Sequence, residues 1–317
     1  MEQQKILVVI PMNREQREKL EAGMPDAVYT YEEIQSVTKE QVREADIILG
    51  NVPASMIQQS GKLKWLHLNS AGFDPYADPG ILHEDTILTT SSGAYGQAVS
   101  EHMFAMLLAM QKKLHLYRDD QRAQEWTDEG EVSSMTDFTV VIFGAGDIGG
   151  KFAKLAQAFG AYVIGVKRSP GPCPDSMDEL HTMGDMEKLL PLADAVVSFL
   201  PSTEETKGIF DKQVFDRMKQ GSFFVNGGRG NTVCTEDLCD ALESGHLAGA
   251  ALDVTDPEPL PKGHRLWSLK NAWVTPHISG YYHLPQTQRN VAALAAENLR
   301  RYGAGEKLRN VVLRGNQ

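Results

Sequence analysis

The sequence predicts an α/β protein built on parallel sheets, and three observations carry that reading. Apolar runs of strand length alternate with amphipathic helical stretches almost from end to end of the 317 residues, which is the signature of βα units around a buried sheet. One strand-to-helix junction, Gly144-Ala-Gly-Asp-Ile-Gly149, is glycine-rich. The other chemistry-bearing residues, Arg229 and His277, come just after strand patterns, where open α/β sheets bind their ligands.

Taken in order, the first candidate strands are 5–10, 46–49, 65–68 and 86–89, with helical stretches at 14–22 and 39–44. These suffice for a small sheet domain. Residues 97–116 read as one long helix, followed by a polar connection, 118–137, that carries Trp126. A second series of strands is expected at 138–143, 162–166, 195–199, 222–225, 249–253 and 272–275, with helices between most of them. Gly160 and Gly221 fall where helix C-termini need a left-handed residue, and 169–174 reads as a loop. Pro285 suits the first turn of a final helix running to about Tyr302.

Composition narrows the function. With 31 basic and 42 acidic residues the formal charge is -11, which opposes binding to nucleic acid or to an anionic membrane. The longest apolar run, 103–110, is too short for a membrane span, and residues 1–10 lack a signal-peptide pattern, so the expectation is a cytoplasmic protein. Cys173, Cys234 and Cys239 are odd in number and lack CxxC spacing, so neither a disulfide framework nor a metal site is expected.

The glycine turn is the first chemical signal. It follows an apolar strand, opens a helix, and is closed by a second strand about 20 residues on, the context in which glycines admit a pyrophosphate to a helix N-terminus. Gly144, Gly146, Asp147, Ile148 and Gly149 are therefore candidate dinucleotide ligands. Arg229 can clamp a carboxylate with two parallel hydrogen bonds, and His277 can exchange a proton near neutral pH. Glu258 sits among prolines that stiffen its backbone. Taken singly, each has a plainer reading: an exposed loop arginine, a solvated acid in a proline-rich loop, and a satisfied histidine.

Together these segments resemble the D-isomer-specific 2-hydroxyacid dehydrogenase family over nearly the whole chain. The resemblance rests on the GxGxxG, the Leu200-Pro-Ser-Thr203 turn, Arg229, the Glu-Pro at 258, the Pro-His at 277 and the terminal Gly305-Glu-Lys-Leu-Arg-Asn-Val311, in that order. It implies two Rossmann-like domains with doubly wound parallel sheets, a nucleotide domain (97–283) being inserted into a discontinuous substrate domain (1–96 and 284–317). His277 is then the acid/base, Glu258 its orienting and charging partner, and Arg229 the carboxylate clamp, aided by backbone N–H groups of Ser70-Ala-Gly72. The cofactor would be met further by Leu200, Pro201, Ser202, Thr206, Gly227, Gly228 and Gly280, with Asp253 facing the nicotinamide carboxamide. A small 2-keto or 2-hydroxy acid and a homodimer are also implied.

Cofactor choice departs from the NAD-type pattern. Where an acid would bind the adenosine ribose, this chain has Lys167-Arg168-Ser169, and a basic pair with a hydroxyl suits the extra phosphate of NADP(H) over NAD(H). Two further segments, Ser92-Gly-Ala-Tyr-Gly96 and Tyr281-Tyr-His-Leu284, match no particular member. Two alternatives remain: a cofactor-sensing binding protein of the corepressor type, and formate dehydrogenase, which shares the Pro-His-x-Ser-Gly turn but carries Gln at the position of Glu258.

Overall fold

The computed structural model describes residues 3–58, 60–78 and 80–313. The chain divides into two compact units, Met1–Tyr95 with Tyr282–Gln317, and Gly96–Tyr281.

The first unit runs β1 (Lys5–Val8), α1 (Arg14–Glu21), β2 (Val28–Tyr31), α2 (Lys39–Glu44), β3 (Ile47–Leu49), α3 (Ala54–Ile57), β4 (Trp65–His67), α4 (Asp74–Ala77) and β5 (Ile87–Thr89). Both of its longer opening helices begin with reciprocal caps, Asn13 with Gln16 and Thr38 with Gln41, each satisfying otherwise orphaned backbone donors. The second unit continues with α5 (Gly96–Gln111), α6 (Leu114–Ala123), β6 (Thr139–Phe143), α7 (Asp147–Ala158), β7 (Tyr162–Lys167), β8 (Glu179–Thr182), α8 (Met186–Leu189), β9 (Ala195–Ser198), α9 (Lys212–Arg217), β10 (Ser222–Asn226), α10 (Thr235–Glu243), β11 (Leu247–Leu252) and β12 (Ala272–Val274). The chain then returns to the first unit through α11 (Pro285–Gly303), with Pro285 in its first turn, and β13 (Val311–Leu313).

The first sheet has the order β2-β1-β3-β4-β5-β13, parallel except for β13, which pairs antiparallel with β5 at one edge. Ile6, Val8, Ile47 and Leu49 alternate with Leu7, Ile48 and Leu66, so the strands bury both faces. Val291, Ala295 and Leu299 of α11 seal the first face. The second sheet is parallel throughout, in the order β12-β11-β10-β9-β6-β7-β8. Its direction of winding reverses between β6 and β9, which opens a crevice at the carboxyl ends of those strands. Its core joins Val141, Phe143, Val196 and Phe224 to Phe215, Leu238 and Leu242 of the covering helices.

The expected single helix at 97–116 is corrected to two helices. α5 is apolar on most faces and buries ten of its residues, whereas α6 buries none. The chain turns at Lys113, whose left-handed φ of 55° ends the first helix before the polar second one begins. β2 and β8 were not legible as apolar runs because they are edge strands without a buried residue.

Candidate active site

Three adjacent strands deliver the candidate catalytic residues. Arg229 follows β10, Glu258 lies in the loop after β11 and His277 just after β12, all at carboxyl ends of the second sheet. The Arg229 turn is built by Asn226, fully buried at the end of β10. Its side chain accepts from the Gly228 N–H at 3.0 Å and donates to the Arg229 carbonyl at 3.0 Å. Thr232 Oγ1 donates to the same carbonyl at 2.7 Å. A Cβ on Gly230 would lie 1.9 Å from the Thr255 carbonyl oxygen. Only glycine therefore lets the Arg229 turn rest on the segment that leads to Glu258. The arginine's own Nη1 donates to the Gly228 carbonyl at 2.9 Å.

His277 Nδ1 stands 3.0 Å from Glu258 Oε1, and both side chains are partly open to solvent, at 46% and 41% exposure. This contact leaves Nε2 as the ring nitrogen that can exchange a proton with a ligand. The histidine has φ 51°, a conformation that a non-glycine residue adopts at a cost. Asp253 holds it there. The carboxylate, 1% exposed, accepts from Thr275 Oγ1 at 2.6 Å, from the Ile278 and Ser279 N–H groups at 3.0 Å each, and from Ser279 Oγ at 2.5 Å. The Asp253 carbonyl also accepts from the His277 N–H at 2.8 Å. The resemblance has Asp253 facing a nicotinamide; the structure turns its carboxylate into the 275–279 loop, which Gly280 ends half-buried. Sequence reasoning missed Asn226, Thr275 and Ser279, and it missed His102, whose Nε2 lies 3.0 Å from Thr275 Oγ1. For Asn226 and Thr275 the available signal was a polar residue at the carboxyl end of an apolar strand.

The glycine turn opens on the same edge. Gly144 has φ 92°, and a Cβ on Gly149 would come 2.5 Å from the Gly144 carbonyl oxygen, so packing dictates both residues. Gly146 differs: it caps α7 and has nothing within 4 Å of an added Cβ. An open glycine at the N-terminus of a twelve-residue helix is the cradle a pyrophosphate requires, so the residues present fit a dinucleotide. Asp147 and Ile148 begin that helix, Asp147 pairing with Lys151 at 3.2 Å.

Lys167 ends β7, and Arg168 and Ser169 follow it on the exposed side. The Glu205 carboxyl is held below its usual range by Thr203, by its own backbone N–H and by the charge of Arg168. The loops after β7 and β9 thus face one another. In the second of these, Thr206 Oγ1 donates to the Pro201 carbonyl at 2.6 Å, and Asn231 Nδ2 donates to Ser202 Oγ at 2.8 Å. Leu200 is buried. A Cβ on Gly228 would lie 2.6 Å from the Leu200 carbonyl oxygen, and one on Gly227 would lie 2.8 Å from Met103. Ser70, Ala71 and Gly72 belong to the other unit, where they follow β4 as a half-buried turn with Ser70 Oγ donating to the Gly72 carbonyl at 2.6 Å. No group of three or more His, Cys, Asp or Glu that could hold a metal occurs among the described residues.

The doubly wound parallel sheet and its glycine-rich strand-to-helix turn are those of a nicotinamide-dependent oxidoreductase. The sequence profile for the NAD binding domain of D-isomer specific 2-hydroxyacid dehydrogenases matches residues 104–279. The chain belongs to this family. It is 31% identical over 258 residues to glyoxylate/hydroxypyruvate reductase A of Serratia proteamaculans (strain 568), covering 77% of this chain and 80% of that one. Among solved structures, a D-isomer specific 2-hydroxyacid dehydrogenase family protein from Aeromonas salmonicida subsp. salmonicida A449 superposes with TM-score 0.86 at 32% identity, covering 98% and 99% of the two chains. An NADPH-dependent glyoxylate/hydroxypyruvate reductase from Sinorhizobium meliloti, in complex with NADP and sulfate, gives TM-score 0.81 at 26% identity with 98% of each chain covered.

Proposed function

We propose that this enzyme reduces a small 2-keto acid to its D-2-hydroxy acid with NADPH in preference to NADH. The observation that carries the reading is the 3.0 Å contact of His277 with Glu258, set beside the Arg229 turn on the sheet edge that bears the glycine cradle. Gly144, Gly146, Asp147, Ile148 and Gly149 would hold the pyrophosphate through backbone N–H groups and the positive end of α7. Gly227, Gly228, Gly280, Leu200, Pro201, Ser202 and Thr206 would meet the rest of the cofactor, with Asp253 holding the 275–279 loop beside it.

The bound nicotinamide supplies the hydride. Arg229 pairs with the substrate carboxylate and draws negative charge toward the reacting oxygen, and the Ser70, Ala71 and Gly72 backbone adds donors to the same carboxylate. Glu258 fixes the ring of His277 through Nδ1, and Nε2 gives its proton to the developing alkoxide. Reduction therefore consumes a proton and oxidation releases one, so raising the pH slows reduction and favours oxidation.

Lys167, Arg168 and Ser169 meet the adenosine end. A guanidinium pairs well with a phosphate, and Arg168 is exposed. On this reading the first unit serves the substrate and the second the cofactor. The substrate class follows the names of the similar reductases, with glyoxylate and hydroxypyruvate ahead of pyruvate and the branched or aromatic keto acids.

A homodimer completes the proposal. A cavity of about 460 Å³ at the end of α5 is lined by Gln111, Asp120, Val132 and Phe223. The buried amide of Gln111 and Oδ2 of Asp120 have no hydrogen-bond partner among the described residues. Trp126, 105% exposed, stands on the segment that follows α6. A second copy laid on this face would remove the indole from water.

The test is a panel of these keto acids with NADPH and with NADH, followed by loss of reduced-nicotinamide absorbance. Saturable reduction of at least one acid, faster with NADPH, is the expected result. Tight cofactor binding without turnover of any acid would favour a cofactor sensor, and turnover of formate alone would favour formate chemistry.

A further inference from the structure

The two segments that matched no particular family member, 92–96 and 281–284, meet in the first unit. Tyr95 is the last residue of that unit before the chain leaves it, and Tyr282 is the first residue after it returns. Both phenols converge on Asn69. Tyr95 Oη donates to the Asn69 carbonyl, and Asn69 Nδ2 donates to Tyr282 Oη at 3.0 Å. Asn69 is thus the shared partner of both hydroxyls. Burial pushes both phenols up, so they stay protonated throughout the working range of pH.

Asn69 carries the constraint forward. Its backbone N–H donates to Asn51 Oδ1 at 3.0 Å, while the Asn51 N–H donates to Asn69 Oδ1 at 2.7 Å, a reciprocal clasp between the loops after β3 and β4. Asn51 Nδ2 then donates to Ser70 Oγ at 3.0 Å, and Ser70 Oγ donates to the Gly72 carbonyl at 2.6 Å. Every polar atom of the Asn69 side chain is thus used, and its neighbour is the turn assigned above to the substrate carboxylate. A turn has soft dihedrals, and N–H groups that must meet a carboxylate within a few tenths of an ångström need such an anchor.

We propose that Tyr95, Tyr282, Asn69 and Asn51 are positioning residues that set the direction of the 70–72 N–H groups and thereby the affinity for the substrate's carboxylate. The inference rests on the reading that this turn binds that carboxylate. None of the four touches the reacting atoms; they act through Ser70 and Gly72. Their loss should therefore appear in KM for the keto acid and leave kcat and the cofactor largely alone.

The experiment uses the full-length enzyme and the best keto acid of the panel, with oxamate as a dead-end carboxylate probe. Tyr282→Phe and Tyr95→Phe keep the ring and remove one hydroxyl each. Each should raise KM and the oxamate inhibition constant by about three- to ten-fold, with kcat and the NADPH dissociation constant within about two-fold. The double variant should fall short of the product of the singles, because both act through Asn69. Ala71→Pro, which deletes a backbone N–H of the turn itself, separates the two layers of the argument. If Ala71→Pro raises KM while both tyrosine variants leave it unchanged, the positioning role is overturned and the turn assignment survives. If Ala71→Pro leaves KM unchanged, the turn assignment fails and the positioning role with it. If the tyrosine variants weaken NADPH binding as much as they raise KM, they report loss of structure, and that also overturns the proposal.

Discussion

At His277 a left-handed backbone, a buried aspartate under the loop and a glutamate on Nδ1 all fix one imidazole. That much constraint on an exposed ring is what acid/base chemistry needs and what a merely surface histidine lacks. Arg229 is read in the same way. Arg229→Lys replaces a planar fork with a point charge, and losing one charge-assisted hydrogen bond should lower kcat/KM for the keto acid by at least about ten-fold. A variant with kcat/KM near that of the native enzyme would remove Arg229 as the clamp. On the cofactor side, Arg168→Ala should reduce kcat/KM for NADPH and largely spare NADH, since only the 2′-phosphate is lost as a partner. A native enzyme that uses NADH as well as NADPH would contradict the assignment of Lys167, Arg168 and Ser169.

At the scale of elements, β4 carries a titrating group in the core. His67 is fully buried, with Nδ1 2.8 Å from Thr89 Oγ1 and Nε2 3.3 Å from Ser91 Oγ, and burial pulls its pKa down to about 3. The folded chain therefore refuses a proton that the unfolded chain accepts near pH 6.5. Stability contributed by this group is fully present above that pH and is lost as pH falls toward about 3, at about 1.4 kcal/mol per pH unit. Urea unfolding at neutral and mildly acidic pH should show this slope, and His67→Gln should flatten it. An equal slope in the variant would place the acid sensitivity elsewhere. The central strands were legible in the sequence because apolar β6, β9 and β10 and the glycine turn are locally determined. β2 and β8 were not, because an edge strand needs no apolar run, and neither was the break at Lys113, where burial of α5 and exposure of α6 decide the backbone.

At the scale of the whole molecule, Arg229 and His277 stood out in the sequence because each comes just after a strand, and Glu258 because prolines stiffen its segment; sheet order brings the ends of the three preceding strands side by side. What supports them was hidden. Asn226, Asp253 and the Asn51 to Asn69 clasp act through contacts between residues distant in the chain. The cavity beside Gln111 and the exposed Trp126 give the homodimer its expectation, which light scattering checks at micromolar concentration; a mass of one 35.0 kDa chain would contradict it. The central claim is that His277 protonates a 2-keto acid during its reduction. It is tested most directly by steady-state reduction of glyoxylate and hydroxypyruvate with NADPH, native enzyme against folded His277→Ala. The account predicts turnover by the native enzyme and a loss in kcat on the order of a hundred- to ten-thousand-fold in the variant; undiminished kcat in His277→Ala would contradict it.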